Sequence, residues 1–168
     1  GWCYGRGAAR SRRIPFVGVN HLEAHVHGAL MPMLEAGTRV DYPLLALIVS
    51  GGHTMLYRLP TEGEFCLAGT TLDDAAGEAF DKVSTLLGLG YPGGPVIDQL
   101  SDAGDPMGVN LPRARLASPF DFSFSGLKAA VRREALRQGL EPERPDDQRV
   151  IDLAASFQCA VLDMLEAS

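Results

Sequence analysis

Apolar positions along this chain follow two different periods, and the changes of period mark its elements. "YPLLALIVS" and "TMLYRL" are short apolar runs rich in branched side chains; they read as two strands joined through Gly51-Gly52-His53, a hairpin signal. "EFCLAGTT" reads as a third strand, and "IPFVGVN", starting at Ile14, as a short buried one. Helical spacing takes over elsewhere. Asn20 is a helix cap with Glu23 three residues on, and the helix it opens runs to Met31, where Pro32 disturbs it or starts a new turn. A second helix runs from Asp73 to Leu87 and stops at Gly88, and Pro95 opens a third over Val96 to Ser101. "LKAAVRREALRQ" is helical up to Gly139, after a strand-like "FDFSFSG". From Asp147, Val150, Ala154, Phe157, Val161 and Leu165 share one helical face. Residues 1–13 are basic with little apolar pattern, 102–119 carry three prolines and no period, and "EPERPDD" is a linker. Strands followed by helices predict an α/β or α+β layered fold.

The bulk properties narrow the class without naming it. With 168 residues the chain can bury a real core. A net charge of −6 argues against a protein built to coat nucleic acid, although a local basic patch such as Lys128, Arg132 and Arg133 can still meet RNA. Such a run on a helix also reads simply as a solvated face. The longest apolar run, Leu44 to Val49, is too short to span a bilayer, and the basic start lacks the apolar core of a signal peptide. Cys3, Cys66 and Cys159 are odd in number and far apart, so neither a disulfide framework nor a cysteine zinc site is expected, and a reducing cytoplasm fits.

Candidate chemistry begins at "VNHLEAHVHGAL". His21 and His25 lie four residues apart, so on a helix both imidazoles can reach one metal ion. The zinc-protease pattern would need an acid directly after the first histidine, but Leu22 stands there. Glu23 is turned about 200° around the helix from either histidine, which excludes peptide hydrolysis by that route. His27 is also rotated away, as a surface histidine. The pair equally suits capping or packing, and as metal ligands two imidazoles need a third partner, a carboxylate, from elsewhere.

"VSGGHT" offers backbone N–H groups at Gly51 and Gly52 and hydroxyls at Ser50 and Thr54, a turn that can cradle a phosphate or can be only a turn. Asp74, Glu78 and Asp81 in "LDDAAGEAFDKV" form one acidic helical stripe, either solvated or functional, with Glu78 able to pair with Lys82. Gly77 in that helix costs about 1 kcal/mol against alanine, which signals close approach of something to the helix. In "YPGGPVID", Gly93 and Gly94 precede a helix start with Asp98 in its first turn. Carboxylates such as Asp81 and Asp98 suit ribose hydroxyls rather than phosphates.

Taken in order and at these intervals, "VNHLEAH", "LIVSGGHT", "LDDAAGEAFDKVSTLLGLGYPGGP" and "FSFSGLKAAV" resemble the tRNA N(6)-adenosine threonylcarbamoyltransferase family, once called glycoproteases. The resemblance runs from Ile14 to the end, and the "DDAAGEAFDK…YPGGP" block is its most specific part. It implies the two-lobed, ribonuclease H-like fold of sugar kinases, actin and Hsp70, here as a fragment. Residues 1–36 would be a remnant of the first lobe with the metal-binding helix, and 37–168 part of the second with the nucleotide loops. It implies a metal-dependent acyltransferase that moves threonylcarbamoyl from its adenylate to the N6 amine of the adenosine beside the anticodon, in tRNAs reading codons that begin with A. It makes His21 and His25 ligands of one divalent metal per subunit, iron with zinc as the alternative. It places Ile48, Val49, Ser50, Gly51 and Gly52 at the substrate phosphate, and Asp81, Gly94 and Asp98 at the nucleoside. The partners implied are tRNA, a related non-metal subunit and a small ATPase. Residues 1–13 depart from the apolar helix the family has there, and the family's first phosphate loop, a later asparagine and the metal-site aspartate have no counterpart in the chain. A kinase or ATPase of the same fold, and a non-catalytic scaffold paralogue, are the rival readings. The histidine pair speaks against the first; it and the SGG loop speak against the second.

Overall fold

The computed structural model describes residues 2–140 and 146–167, so most of the "EPERPDD" linker lies outside the described residues. The order of elements is α1 (Trp2–Arg12), α2 (His21–Glu35), β1 (Leu44–Val49), β2 (Thr54–Leu59), β3 (Cys66–Thr70), α3 (Ala76–Leu86), α4 (Gly93–Ser101), α5 (Ser125–Arg137) and α6 (Gln148–Glu166). The fold is mixed α/β with a small antiparallel sheet, and the chain divides into two compact units, Gly1–Tyr42 and Pro43–Ser168. Among the described residues no helix is long and apolar enough to cross a membrane.

The first unit corrects three expectations. The basic start is a helix, α1, with Ala9 buried and the Trp2 indole edge-on to Phe16 at 5.0 Å. Its few apolar residues are enough to hold it against the returning chain. That returning chain, "IPFVGVN", is not a buried strand: Ile14, Val17 and Val19 are 56%, 80% and 71% exposed. A strand needs a partner, and among the described residues this unit holds no other strand. α2 does not stop at Met31. Its cap is as expected, Asn20 accepting from the Leu22 N–H at 2.9 Å, but the helix runs through Pro32 to Glu35. Proline forfeits its own N–H bond and crowds the carbonyl four residues back, but its φ suits a helix, and with only one turn left Ala36 N–H still donates back to Pro32 O at 3.1 Å.

In the second unit the hairpin forms as expected, with register Leu44↔Leu59 to Val49↔Thr54, and β3 adds to the far side of β2. "FDFSFSG" is not a strand. Phe122 makes a single parallel bridge with Thr71, and there the ladder ends because Asp73 takes the next amides, accepting from Phe124 N–H at 2.8 Å and Ser125 N–H at 3.3 Å. That carboxylate instead starts α5. α3 begins three residues later than expected, because Thr71 and Asp74 close a turn (Thr71 hydroxyl to Asp74 O, 2.7 Å) before the helix. α4 begins earlier, at Gly93, which puts Pro95 within its first turn and Asp98 in its second. α6 is capped by Asp147, which accepts from Arg149 N–H at 3.0 Å. Its face buries Val150, Ala154, Phe157 and Val161 against Val83, Ile97, Phe124 and Val131, with Phe80 edge-on to Phe157 at 5.0 Å.

Candidate functional site

The loop between β1 and β2 is organised by its serine. Ser50 N–H donates to His53 O at 2.8 Å, while Ser50 Oγ accepts from the N–H groups of Gly52 (3.3 Å) and His53 (3.0 Å). Of the two glycine amides expected for a phosphate, that of Gly52 is therefore held inside the turn. Gly51 N–H makes no hydrogen bond among the described residues, and a side chain on Gly51 would meet only open space. Thr54 is not a phosphate ligand: it is completely buried, and its hydroxyl accepts from Ala76 N–H at 2.8 Å, at the start of α3.

The predicted close approach at Gly77 is real, and what approaches is this loop. Gly77 is the second residue of α3 rather than a mid-helix one. Its N–H donates to Ser50 O at 3.2 Å, and a Cβ there would lie 2.7 Å from Ser50 O and 2.8 Å from Gly51 N. Gly93 does the same for α4: a Cβ would sit 2.4 Å from Phe80 O, so only glycine lets α4 start against α3.

These contacts frame a cleft of about 710 Å³ whose walls include Val49, Gly51, Gly77, Phe80, Asp81, Gly94, Asp98, Gln158, Val161 and Leu165. Five of the expected substrate residues (Val49, Gly51, Asp81, Gly94 and Asp98) meet there; Ile48, Ser50 and Gly52 are not among its walls. Both aspartates are held through one oxygen. Asp81 Oδ1 accepts from Gly93 N–H at 2.7 Å, and Asp98 Oδ1 accepts from Gln158 Nε2 at 3.0 Å. The arrangement offers two carboxylates to hydroxyl donors, one amide N–H to an anion, and the half-buried Phe80 and Leu165 to a flat apolar group.

The acidic stripe does not exist as a stripe. Asp74 lies before α3, where it binds Lys82 (2.6 Å) and Lys128 (2.9 Å), and Lys82 also meets Glu78 at 2.8 Å as expected. The Lys82 hydrogen bond, then that of Lys128, holds the Asp74 carboxyl below its ordinary pKa, and the bond to Asp74 pushes the Lys82 ammonium well above its own. Lys128 is thereby committed, and the basic patch on α5 reduces to the exposed Arg132 and Arg133.

On α2, His21 and His25 are both exposed and their Nε2 atoms stand 3.1 Å apart. Imidazole nitrogens bind zinc at about 2.0–2.1 Å, so two adjacent ligands lie about 3.0–3.4 Å from each other. The pair fits two positions of one metal, and without metal the same geometry is a hydrogen bond between a donor and an acceptor tautomer. Among the described residues no three His, Cys, Asp or Glu side chains converge, so the pair is not a complete site by itself.

The roles of Gln158 and Asp73 are not legible in the sequence. Gln158 lies 60 residues from its partner Asp98, and Asp73 about 50 from the amides it holds. The signal available for Gln158 was a polar residue next to the apolar face of α6.

Comparison with known proteins completes the picture. The family model described as TsaD, tRNA N6-adenosine threonylcarbamoyltransferase, matches residues 1–168. The match therefore includes residues 1–13, although the motif resemblance starts only at Ile14. The protein of that name from Syntrophotalea carbinolica is 53% identical over 161 residues, 95% of this chain and 45% of its own length. That from Geobacter sulfurreducens is 50% identical over 161 residues, again 95% and 45%. That from Thermodesulfovibrio yellowstonii is 46% identical over 165 residues, 98% and 48%. The chain thus spans about half the length of the curated relatives it matches.

Proposed function

The chain belongs to the tRNA N6-adenosine threonylcarbamoyltransferase family, and from that membership we propose that it supplies the nucleotide-binding part of an enzyme that transfers threonylcarbamoyl from its adenylate to the N6 amine of the adenosine beside the anticodon. The donor is a mixed anhydride of a carbamate and AMP. The amine attacks the carbonyl carbon, the carbonyl–phosphate oxygen bond breaks, AMP leaves with its electron pair, and the amine loses a proton. No side-chain nucleophile is needed, because the donor is already activated.

The observation that carries this reading is the joint presentation of Asp81, Asp98 and the free Gly51 amide on one cleft. The carboxylates accept from the ribose hydroxyls, Gly51 N–H donates to the phosphate of the leaving group, and the apolar wall takes the base. Ile48, Val49, Ser50 and Gly52 shape that turn, and Gly94 leaves room at its mouth. His21 and His25 would hold one divalent metal, iron or zinc. When bound, that metal supplies a Lewis acid and template for an acyl or phosphate oxygen. The full setting is a two-lobed, actin-like and ribonuclease H-like protein in a reducing cytoplasm, acting on tRNA with a related non-metal subunit and a small ATPase.

Calorimetry with a non-hydrolysable adenylate analogue tests the cleft. Gly51→Val and Asp81→Ala should each weaken binding while circular dichroism stays unchanged; unchanged affinity in both would remove this cleft from the function. In the full-length enzyme with its partner proteins, His21→Ala and His25→Ala should each abolish tRNA modification without loss of fold. Retained transfer in either would end the metal assignment.

A further inference from the structure

Gln158 sits on α6 at the wall of the cleft, and its Nε2 donates to Asp98 Oδ1 at 3.0 Å. It is the one hydrogen-bond partner of Asp98 among the described residues. Its other amide atom, Oε1, is buried and accepts no hydrogen bond among the described residues. Turning the amide over would not relieve this, because it would set a carbonyl against a carboxylate. An apolar side chain of the same size would leave no orphaned oxygen at this half-buried position. Glutamine here is therefore a poor choice for packing and a specific one for Asp98.

We infer that Gln158 is a positioning residue for ribose recognition: it holds the Asp98 carboxylate in the cleft so that its other oxygen is presented to a vicinal diol. This rests on reading Asp98 as a ribose contact. Asp98 is exposed on α4, and without Gln158 its side chain turns freely among rotamers, so a ligand must order it on binding. The buried Oε1 is the stability given up for that ordering.

The test is a binding cycle on the full chain with AMP and 2′,3′-dideoxy-AMP, which lacks the diol. The wild type should prefer AMP by on the order of tenfold. Gln158→Met should lose most of that preference through weaker AMP binding, leave the dideoxy ligand unchanged, and melt no lower than the wild type. Gln158→Glu, nearly identical in shape, should lose at least as much because it faces Asp98 with a second carboxylate. If the wild type does not distinguish the two ligands, the ribose reading of Asp98 fails and this inference with it. If the wild type distinguishes them and Gln158→Met does so equally, the ribose reading stands and the positioning role is wrong. Equal weakening of both ligands would make Gln158 a packing residue and overturn the inference as well.

Discussion

At the scale of single residues, contact distance decides what a substitution does. Gly77→Ala should gain less than the ~1 kcal/mol that alanine gains over glycine in a helix interior, because position 77 lies in the first turn of α3, and its Cβ would meet the Ser50 carbonyl at 2.7 Å. Backbone cannot swing aside as a side chain can, so a net destabilisation of roughly 1–2 kcal/mol is expected in urea denaturation; a more stable variant would mean the loop gives way freely. Asp74 predicts a pH dependence. Its folded pKa lies below its ordinary value of 3.8, through Lys82 first and Lys128 second. Its contribution is therefore whole above the unfolded value and is lost as pH falls through the folded one. Asp74→Asn should lower the melting temperature at pH 7, and the gap to the wild type should narrow below about pH 4. A gap independent of pH would show that the carboxylate is not the source. The anomaly at Gly77 was legible in the sequence because glycine in a helix is locally costly. The roles of Thr54 and Gln158 were not, because their partners lie 22 and 60 residues away.

At the scale of elements, periodicity was informative wherever the neighbour that completes an element was close in sequence. The hairpin and α6 were read nearly to the residue for that reason. "IPFVGVN" and "FDFSFSG" carry the same apolar signal as a strand, but one has no strand to pair with among the described residues and the other loses its amides to Asp73. α1 was missed because ring packing of Trp2 on Phe16, not an apolar stripe, accompanies it. α6 holds the second unit together through Phe157, fully buried against Phe80. Phe157→Ala should cost about 3–5 kcal/mol, whereas Leu136→Ala on the exposed side of α5 should change the denaturation midpoint little; similar losses from both would contradict this core.

At the scale of the whole molecule, the exposed apolar positions predict behaviour in solution. β1 is an edge strand, and Leu45, Leu47 and Val49 on one of its faces are 63%, 43% and 45% exposed. Ile14, Val17 and Val19 add a second apolar strip. Concentration-dependent self-association of the isolated chain is the expected result by sedimentation, and Leu45→Lys with Leu47→Lys should reduce it. A monomer at every concentration would show that neither strip is adhesive.

The seam between the SGG loop and α3 also sets two clocks. The Ala76 amide points at a hydroxyl with no access to water, while the Gly51 amide, on the other side of the same seam, is bonded to nothing among the described residues. In deuterated solvent the first proton should exchange only when the unit opens as a whole, and the second almost at once. An adenylate seated in the cleft would slow the second by holding it and the first by the full free energy of binding. One deuterium-exchange experiment on two amides thus measures both where a ligand touches and how tightly it is held.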